Sequence, residues 1–295
     1  MTALRALLAG VIDYAGLFPP ARLDMAAALG NYASYRAEDD AWMLGRFVVP
    51  VARLEEFTAA LRELAKDDRP EWRLSAILGA DHERDIATVR AFNAAQAGRA
   101  SVDSFEAPLG SEQEIQRVAA ASAGASVALF AEVPIDPDPA TLLAAIKRAG
   151  VAAKVRTGGV TPDAFPSAEF VARFLRRGVE AGVRIKATAG LHHPLSGEYP
   201  VTYDDGAPVG MMYGYLNVFL AAGFMNEGMR DGDAIRLLGE RSANAFVIAS
   251  GTIAWGDFRL TAVQLRRMRS ELAVSFGSCS FREPADELRV LTILK

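Results

Sequence analysis

The chain is poor in several things, and each shortage excludes something. It has one cysteine, Cys279, in 295 residues. That rules out an intrachain disulfide framework and suits a reducing cytoplasm. It has three histidines, two of them adjacent, so a metal site built from histidine alone is not expected. It has no basic excess: the net charge is −4 and the pI is about 5.6. A nucleic-acid partner is therefore not expected, because nothing is left over to neutralise phosphates. No apolar run approaches the roughly 20 residues of a membrane span. Met1–Gly10 carries one arginine and too short an apolar run for a signal peptide, so the expected location is the cytoplasm. What remains is 51% hydrophobic and 23% charged residues, enough to bury a large core.

The hydrophobic pattern alternates regularly. Short apolar runs at Met43–Val49, Trp72–Leu78, Ala100–Phe105 and Val127–Val133 read as strands. Between them, 3.6-residue periodicity reads as helices at Leu54–Lys66, His82–Gln96, Ser111–Ala123 and Pro139–Ala149. Ser111-x-x-Glu114 is a capping-box pattern. Met1–Gly10 and Leu23–Arg36 read as helices flanking a first strand at Val11–Phe18. A repeat of about 25 to 30 residues is one strand and one helix, which predicts an α/β (β/α)8 TIM barrel as a single domain over 1–295. Two runs compete for the eighth strand, Ala245–Ile253 and Ala273–Phe281. The second is preferred because the helix Thr261–Glu271 precedes it. Residues 193–257 then form an extended excursion between strands seven and eight, with helices at Tyr213–Phe224 and near Asp233–Glu240 and a candidate hairpin. Leu195–Gly210, rich in Gly, Pro, Asp and Tyr, reads as a loop over the barrel top and a lid.

The chain is organised around the sixth and seventh strands. Ala152–Gly159 and Val183–Pro194 each carry a lysine followed by threonine and glycine, with an amphipathic helix, Ser167–Gly182, between them. One strand-helix-strand unit places Lys154 and Lys186 at equal depth on neighbouring parallel strands, near their carboxyl ends. In α/β barrels that end carries the chemistry.

Several segments resemble the deoxyribose-phosphate aldolase family, in the right order. Val11-Ile12-Asp13-Tyr14-Ala15-Gly16-Leu17-Phe18-Pro19 is similar to that family's opening segment. Ser101-Val102-Asp103-Ser104-Phe105 and Phe130-Ala131-Glu132 are similar to its fourth and fifth strands. Lys154-Val155-Arg156-Thr157-Gly158 resembles the segment holding its Schiff-base lysine, and Lys186-Ala187-Thr188-Ala189-Gly190-Leu191 the one holding its second lysine. Phe276-Gly277-Ser278-Cys279-Ser280 is similar to its last strand. The resemblance implies a (β/α)8 barrel and a class I, cofactor-free and metal-free lyase. Three departures stand out: Arg156 replaces a serine, His192-His193 replaces a glycine in the turn after Lys186, and the excursion has no counterpart. They separate the lysine chemistry from a phosphosugar substrate.

A lysine attacks a carbonyl only as the free amine, and its ordinary pKa leaves about one part in a thousand or less free at neutral pH. Burial and a second cation lower that pKa. Arg156, two residues along the strand, shares the face of Lys154. The expected catalytic set is Lys154 as imine nucleophile, Lys186 tuning its amine, and Asp103 with a water as acid and base. The expected substrate-binding set is Arg156, Thr157, Thr188, His192, His193, Glu106, Glu132, Ser278 and Asp13. The substrate is a small carbonyl, hydroxy-acid or sugar-like molecule.

Each residue has a structural alternative. Arg156 pairs with Glu132, Asp103 pairs with a barrel arginine such as Arg46, Asp13 caps the first turn, and Cys279 fills core. Thr157-Gly158-Gly159 is too short to stand as a phosphate loop. Adjacent histidines on an extended segment point to opposite sides and rarely share a metal. Two other readings of the whole chain stay open: a metal-assisted lyase or hydrolase using His193 and carboxylates, and a non-catalytic barrel that binds anions. Met211-Met212-Tyr213-Gly214-Tyr215 reads either as a homo-oligomer contact or as a buried helix start.

Overall fold

A computed structural model describes residues 1–64, 70–291 and 293. Its centre is a closed barrel of eight parallel strands. They are β1 (Ile12–Tyr14), β2 (Leu44–Pro50), β3 (Trp72–Ile77), β4 (Ala100–Pro108), β5 (Ala128–Glu132), β6 (Ala152–Arg156), β7 (Ile185–Thr188) and, as the eighth, β13 (Ala273–Ser278). The order around the barrel is β1-β13-β7-β6-β5-β4-β3-β2, so β1 closes the ring between β13 and β2. The chain is thus the α/β barrel that the alternating pattern predicts.

Helices cover the outside. α1 (Ala3–Leu8) precedes β1, and α2 (Met25–Tyr35), α3 (Leu54–Glu63), α4 (His82–Ala95), α5 (Glu112–Ser122), α6 (Ala140–Ala149) and α7 (Ala168–Ala181) follow β1 to β6 in turn. The expected end of the third helix at Lys66 lies outside the described residues. α7 shows why these segments are helical and where they stop. Val171, Ala172, Phe174, Leu175 and Gly178 are its buried residues and repeat at helical spacing. It ends at Gly182, whose φ of +61° is the left-handed cap that glycine adopts without a Cβ clash. The Ser111 hydroxyl caps α5 by accepting the Glu114 N–H (3.2 Å). The Glu114 carboxylate reaches back to accept from the Gly110 N–H and the Ser111 hydroxyl.

The excursion between β7 and β13 is larger and more ordered than its composition suggests. Leu195–Gly210 is not a free loop. It contains β8 (Gly197–Pro200), which forms an antiparallel hairpin with β9 (Val209–Met212). Leu195, Ser196 and Val201 are buried, which anchors the hairpin. Next come α8 (Tyr215–Asn226) and α9 (Asp231–Leu238). Tyr215 to Met225 of α8 are all buried, so this helix is apolar on every side and is wrapped by its neighbours. Met212, Tyr213 and Tyr215 are buried within this chain, while Met211 is exposed. The rejected eighth-strand candidate, Ala245–Ile253, supplies β10 (Phe246–Ile248) and the start of β11 (Thr252–Trp255). These pair antiparallel with each other and with β12 (Phe258–Thr261), outside the barrel. The excursion therefore runs past Asp257 to the end of β12. α10 (Ala262–Glu271), with a complete capping box between Thr261 and Gln264, leads into β13, and α11 (Arg282–Val290) follows it. No helix among the described residues is long and apolar enough to cross a membrane.

Candidate functional site

Strand register assembles the site. Glu132 pairs with Lys154, Lys154 with Lys186, and Lys186 with Ser275, so four neighbouring strands put these residues side by side at one depth. Residues in register on adjacent strands share a face. The side chains form a chain of alternating charge. Lys186 Nζ lies 2.6 Å from Asp13 Oδ2 and 2.5 Å from Glu106 Oε1. Lys154 Nζ lies 2.7 Å from Glu106 Oε2 and 2.7 Å from Glu132 Oε2. Glu132 Oε1 faces Arg156 Nη1 at 3.7 Å. The sequence Asp13–Lys186–Glu106–Lys154–Glu132–Arg156 holds three carboxylates and three cations, and Glu106 sits between the two lysines.

Hydroxyls and backbone complete the lone pairs. Ser75 Oγ donates to Glu106 Oε1 (2.5 Å) and Ser275 Oγ to Asp13 Oδ2 (2.8 Å). The Arg46 N–H donates to Asp13 Oδ1 (2.7 Å). Satisfaction of this kind makes buried charge tolerable. Asp13, Glu106, Lys154 and Lys186 are all buried, while the Arg156 side chain is 58% exposed.

Protonation follows from these contacts. Burial works against the Glu106 carboxylate, but the two lysines outweigh it and hold its pKa below the usual carboxylate range. Asp13 behaves alike: burial raises, but Lys186 and Arg46 together lower it further. Burial also opposes the charge of Lys154, yet Glu106 and Glu132 more than offset it, and its pKa rises. This corrects the expectation of a lysine activated by a lowered pKa. The second cation does not sit against Lys154 alone; Lys186 reaches it through the shared Glu106.

A cavity of about 220 Å³ opens at the carboxyl ends of the strands. Lys154, Lys186 and Glu106 line its floor, and Arg156, Thr188 and His192 line its wall. Arg156, Gly159 and Val160 also border a wider cleft of about 820 Å³ alongside Glu132, Ile135 and Phe170. The turn after β7 shapes the mouth. Ala189 and Gly190 both have left-handed φ, +62° and +72°, a conformation costly for a residue with a Cβ. Thr157 fixes that turn by donating its hydroxyl to the Ala189 carbonyl (2.8 Å).

Five expected site residues lie elsewhere or act otherwise. Asp103 is not at the lysines. A register shift between β3 and β4 falls at this residue, and it lies three residues before Glu106, roughly 10 Å lower along the strand. Arg46 Nε (2.5 Å) and Arg73 (2.6 Å) clamp it, which is the arginine-paired alternative. Asp13 is no turn cap; its carboxylate contacts Lys186. Thr157 is buried and spends its hydroxyl on backbone. Ser278 is buried with Oγ 3.3 Å from His192 Nδ1. His193 is withdrawn from the cavity: Nδ1 lies 2.7 Å from Glu287 Oε1, and its ring stacks on Tyr199. Both histidines present Nδ1 toward α11, so they do not point to opposite sides. Burial, with His193 beside it, lowers the His192 pKa to about 4, which leaves that imidazole neutral at pH 7.

Other contributors carried no local signal. Cys279, read as core filler, lines the cavity, and Tyr203 from the hairpin tip brings its hydroxyl to 3.4 Å from the thiol. Ser75 and Ser275 are single hydroxyls in apolar strands, a weak sign that a buried polar partner waits across the barrel. Glu283 and Glu287 lie on the last helix, far in sequence from either lysine segment. In comparisons with known proteins, no family model matches the chain and no curated protein matches it. The likeness to the deoxyribose-phosphate aldolase family therefore rests on the quoted segments.

Proposed function

We propose that the barrel is a class I, aldolase-like carbon–carbon lyase that forms an imine between Lys154 and a small carbonyl compound. One observation carries the reading: Lys154 Nζ lies buried on the cavity floor with two carboxylates at 2.7 Å. Those carboxylates keep the resting amine protonated, and they are also the bases that can free it. Glu132, whose side chain is 19% exposed, takes the ammonium proton as the substrate carbonyl enters and displaces water. The amine adds to the carbonyl carbon, the carbinolamine loses water, and the iminium withdraws electrons from the adjacent bond. A carboxylate removes the proton of the β-hydroxyl, the carbon–carbon bond breaks, and the electron pair passes to the enamine. Protonation of that carbon and hydrolysis restore Lys154. Lys186 keeps Glu106 ionised and in place.

The cavity volume favours a small substrate, since drug-sized pockets begin near roughly 300 Å³. Arg156, exposed at the rim and, among the described residues, held by one long contact to Glu132, suits a carboxylate or phosphate on that substrate.

The test is borohydride trapping with small aldehydes, ketones and keto acids, followed by peptide mass spectrometry. The expected result is a mass increment on Lys154 that disappears in Lys154→Met, with the variant's circular dichroism unchanged. Adducts confined to surface lysines, or full turnover by Lys154→Met, would overturn the reading.

A further inference from the structure

A second cluster lies where the turn after β7 meets α11. Glu283 and Glu287 are four residues apart on that helix and share one face. His193 approaches from the turn, with Nδ1 2.7 Å from Glu287 Oε1. One ligand atom from each of the three residues lies within 4.8 Å of the others. The imidazole is buried, and its ring is fixed on Tyr199 with centroids 3.4 Å apart and planes at 11°.

The charge around this cluster is unbalanced. Glu283 faces His192 Nδ1 at 3.5 Å and accepts from the Tyr203 hydroxyl at 3.0 Å, and Glu287 faces His193 Nδ1 at 2.7 Å. The arginines of the same helix are turned away: Arg282 pairs with Glu38 and Asp286, and Arg289 with Asp40 and Asp286. Among the described residues, no lysine or arginine forms an ion pair with either glutamate. Two carboxylates at i and i+4 repel each other and weaken the helix unless a cation joins them. The lysine site answers the same problem with ammonium groups, whereas here, among the described residues, the side-chain partners of the two glutamates are imidazoles and the Tyr203 hydroxyl.

We propose that His193, Glu283 and Glu287 form a binding site for a divalent transition-metal ion of the zinc or manganese kind. One imidazole and two carboxylates are a donor set such ions take, and the two carboxylates match the charge of 2+. Bonds of about 2.0–2.2 Å at a tetrahedral angle place donors roughly 3.4 Å apart, so the His193–Glu287 pair opens from 2.7 Å and the wider pairs close by up to roughly 1.4 Å. The ion would tie the turn that carries His192 to α11, at the edge of the cavity. The site stands apart from the imine chemistry: none of its three ligands contacts Lys154, Lys186 or their carboxylates.

The experiment uses the full chain stripped with a chelator, then dialysed against micromolar zinc or manganese, with metal analysis and thermal melting as readouts. One ion per chain and a raised melting temperature are expected. Glu283→Gln, Glu287→Gln and His193→Gln should each weaken binding by at least about tenfold, as outer partners of a metal do at the least. Their metal-free melting temperatures should stay near that of the parent. Glu283→Gln, at a partly exposed position, keeps the test usable where a buried change prevents folding. No ion retained after dialysis, or retention unchanged in the Glu283→Gln/Glu287→Gln double variant, would overturn the proposal. Lys154→Met should bind metal normally, which separates failure here from failure of the lyase reading.

Discussion

Glu106 is the residue on which the charge chain turns. It accepts from both lysines and from Ser75, and it is 2% exposed. Glu106→Gln would leave two buried ammonium groups sharing fewer carboxylates. Breaking a buried pair from one side costs about 3–5 kcal/mol, and urea unfolding of the variant should show a loss of that size. Glu132→Gln sits nearer solvent and should leave stability less affected. It should instead lower kcat/KM by about a hundred- to ten-thousand-fold, the range for loss of a general base. Steady-state kinetics on any substrate found by trapping would check this. Little of this chemistry was legible residue by residue. Both lysines stood out because each follows an apolar run and precedes threonine and glycine. Asp103 looked equally suitable, and only the bulge in β4 and the two arginines show that it serves elsewhere.

Among the elements, β2 meets β1 at a place where only glycine fits. A Cβ on Gly45 would overlap Asp13 Oδ1 and press on the Ile12 and Gly10 carbonyls at 3.1 and 3.2 Å. Gly45→Ala should therefore cost about 1–3 kcal/mol, the range for overpacking. It should also displace Asp13 from Lys186, which sits across from β1 on β7. Chemical denaturation measures the first effect, and the nitrogen-15 shift of the Lys186 ammonium measures the second. The β6–α7–β7 unit was the most readable element of the chain. Its helix has an unbroken apolar stripe and a glycine stop, and one helix between parallel strands fixes their order. A hairpin was among the elements expected in the excursion, but Leu195–Gly210 was read as a loop because Gly, Pro, Asp and Tyr are turn residues in any context. What makes it a hairpin is the burial of Leu195, Ser196 and Val201 against the rest of the excursion.

At the scale of the molecule, stability should depend on pH through the buried charges. Asp13 and Glu106 have lowered pKa values in the fold, so their contribution is present above their ordinary values of 3.8 and 4.5. It is lost as pH falls through the lower folded values. Lys154 has a raised value, so its contribution is present below 10.5 and is lost as pH rises through the folded value. Unfolding free energy measured against pH should show a plateau from about pH 5 to pH 10 for this network, with losses on both flanks. Closure of the barrel is a second global property. β13 fills the gap between β1 and β7 and brings Ser275 to Asp13. A chain ending after Glu271 would expose two strand edges and leave Asp13 short of a partner. It should be recovered as aggregate, and size-exclusion chromatography checks this.

By itself, the order of residues determined the alternation of strands and helices, the eight-strand count and the pairing of Lys154 with Lys186. These depend on local periodicity and on the short reach of one strand-helix-strand unit. Glu106 and Glu132, at neighbouring strand ends, were expected to balance the lysine charge, and they do. Only the tertiary structure decided that Asp13 joins them, that Lys154 rests as an ammonium, and that His193 turns to α11. The reason is physical: closing the ring brings Asp13, Glu106 and Ser275 to one point from strands far apart in sequence. A pKa is set by those neighbours and by the water they exclude, neither of which is written in any one segment.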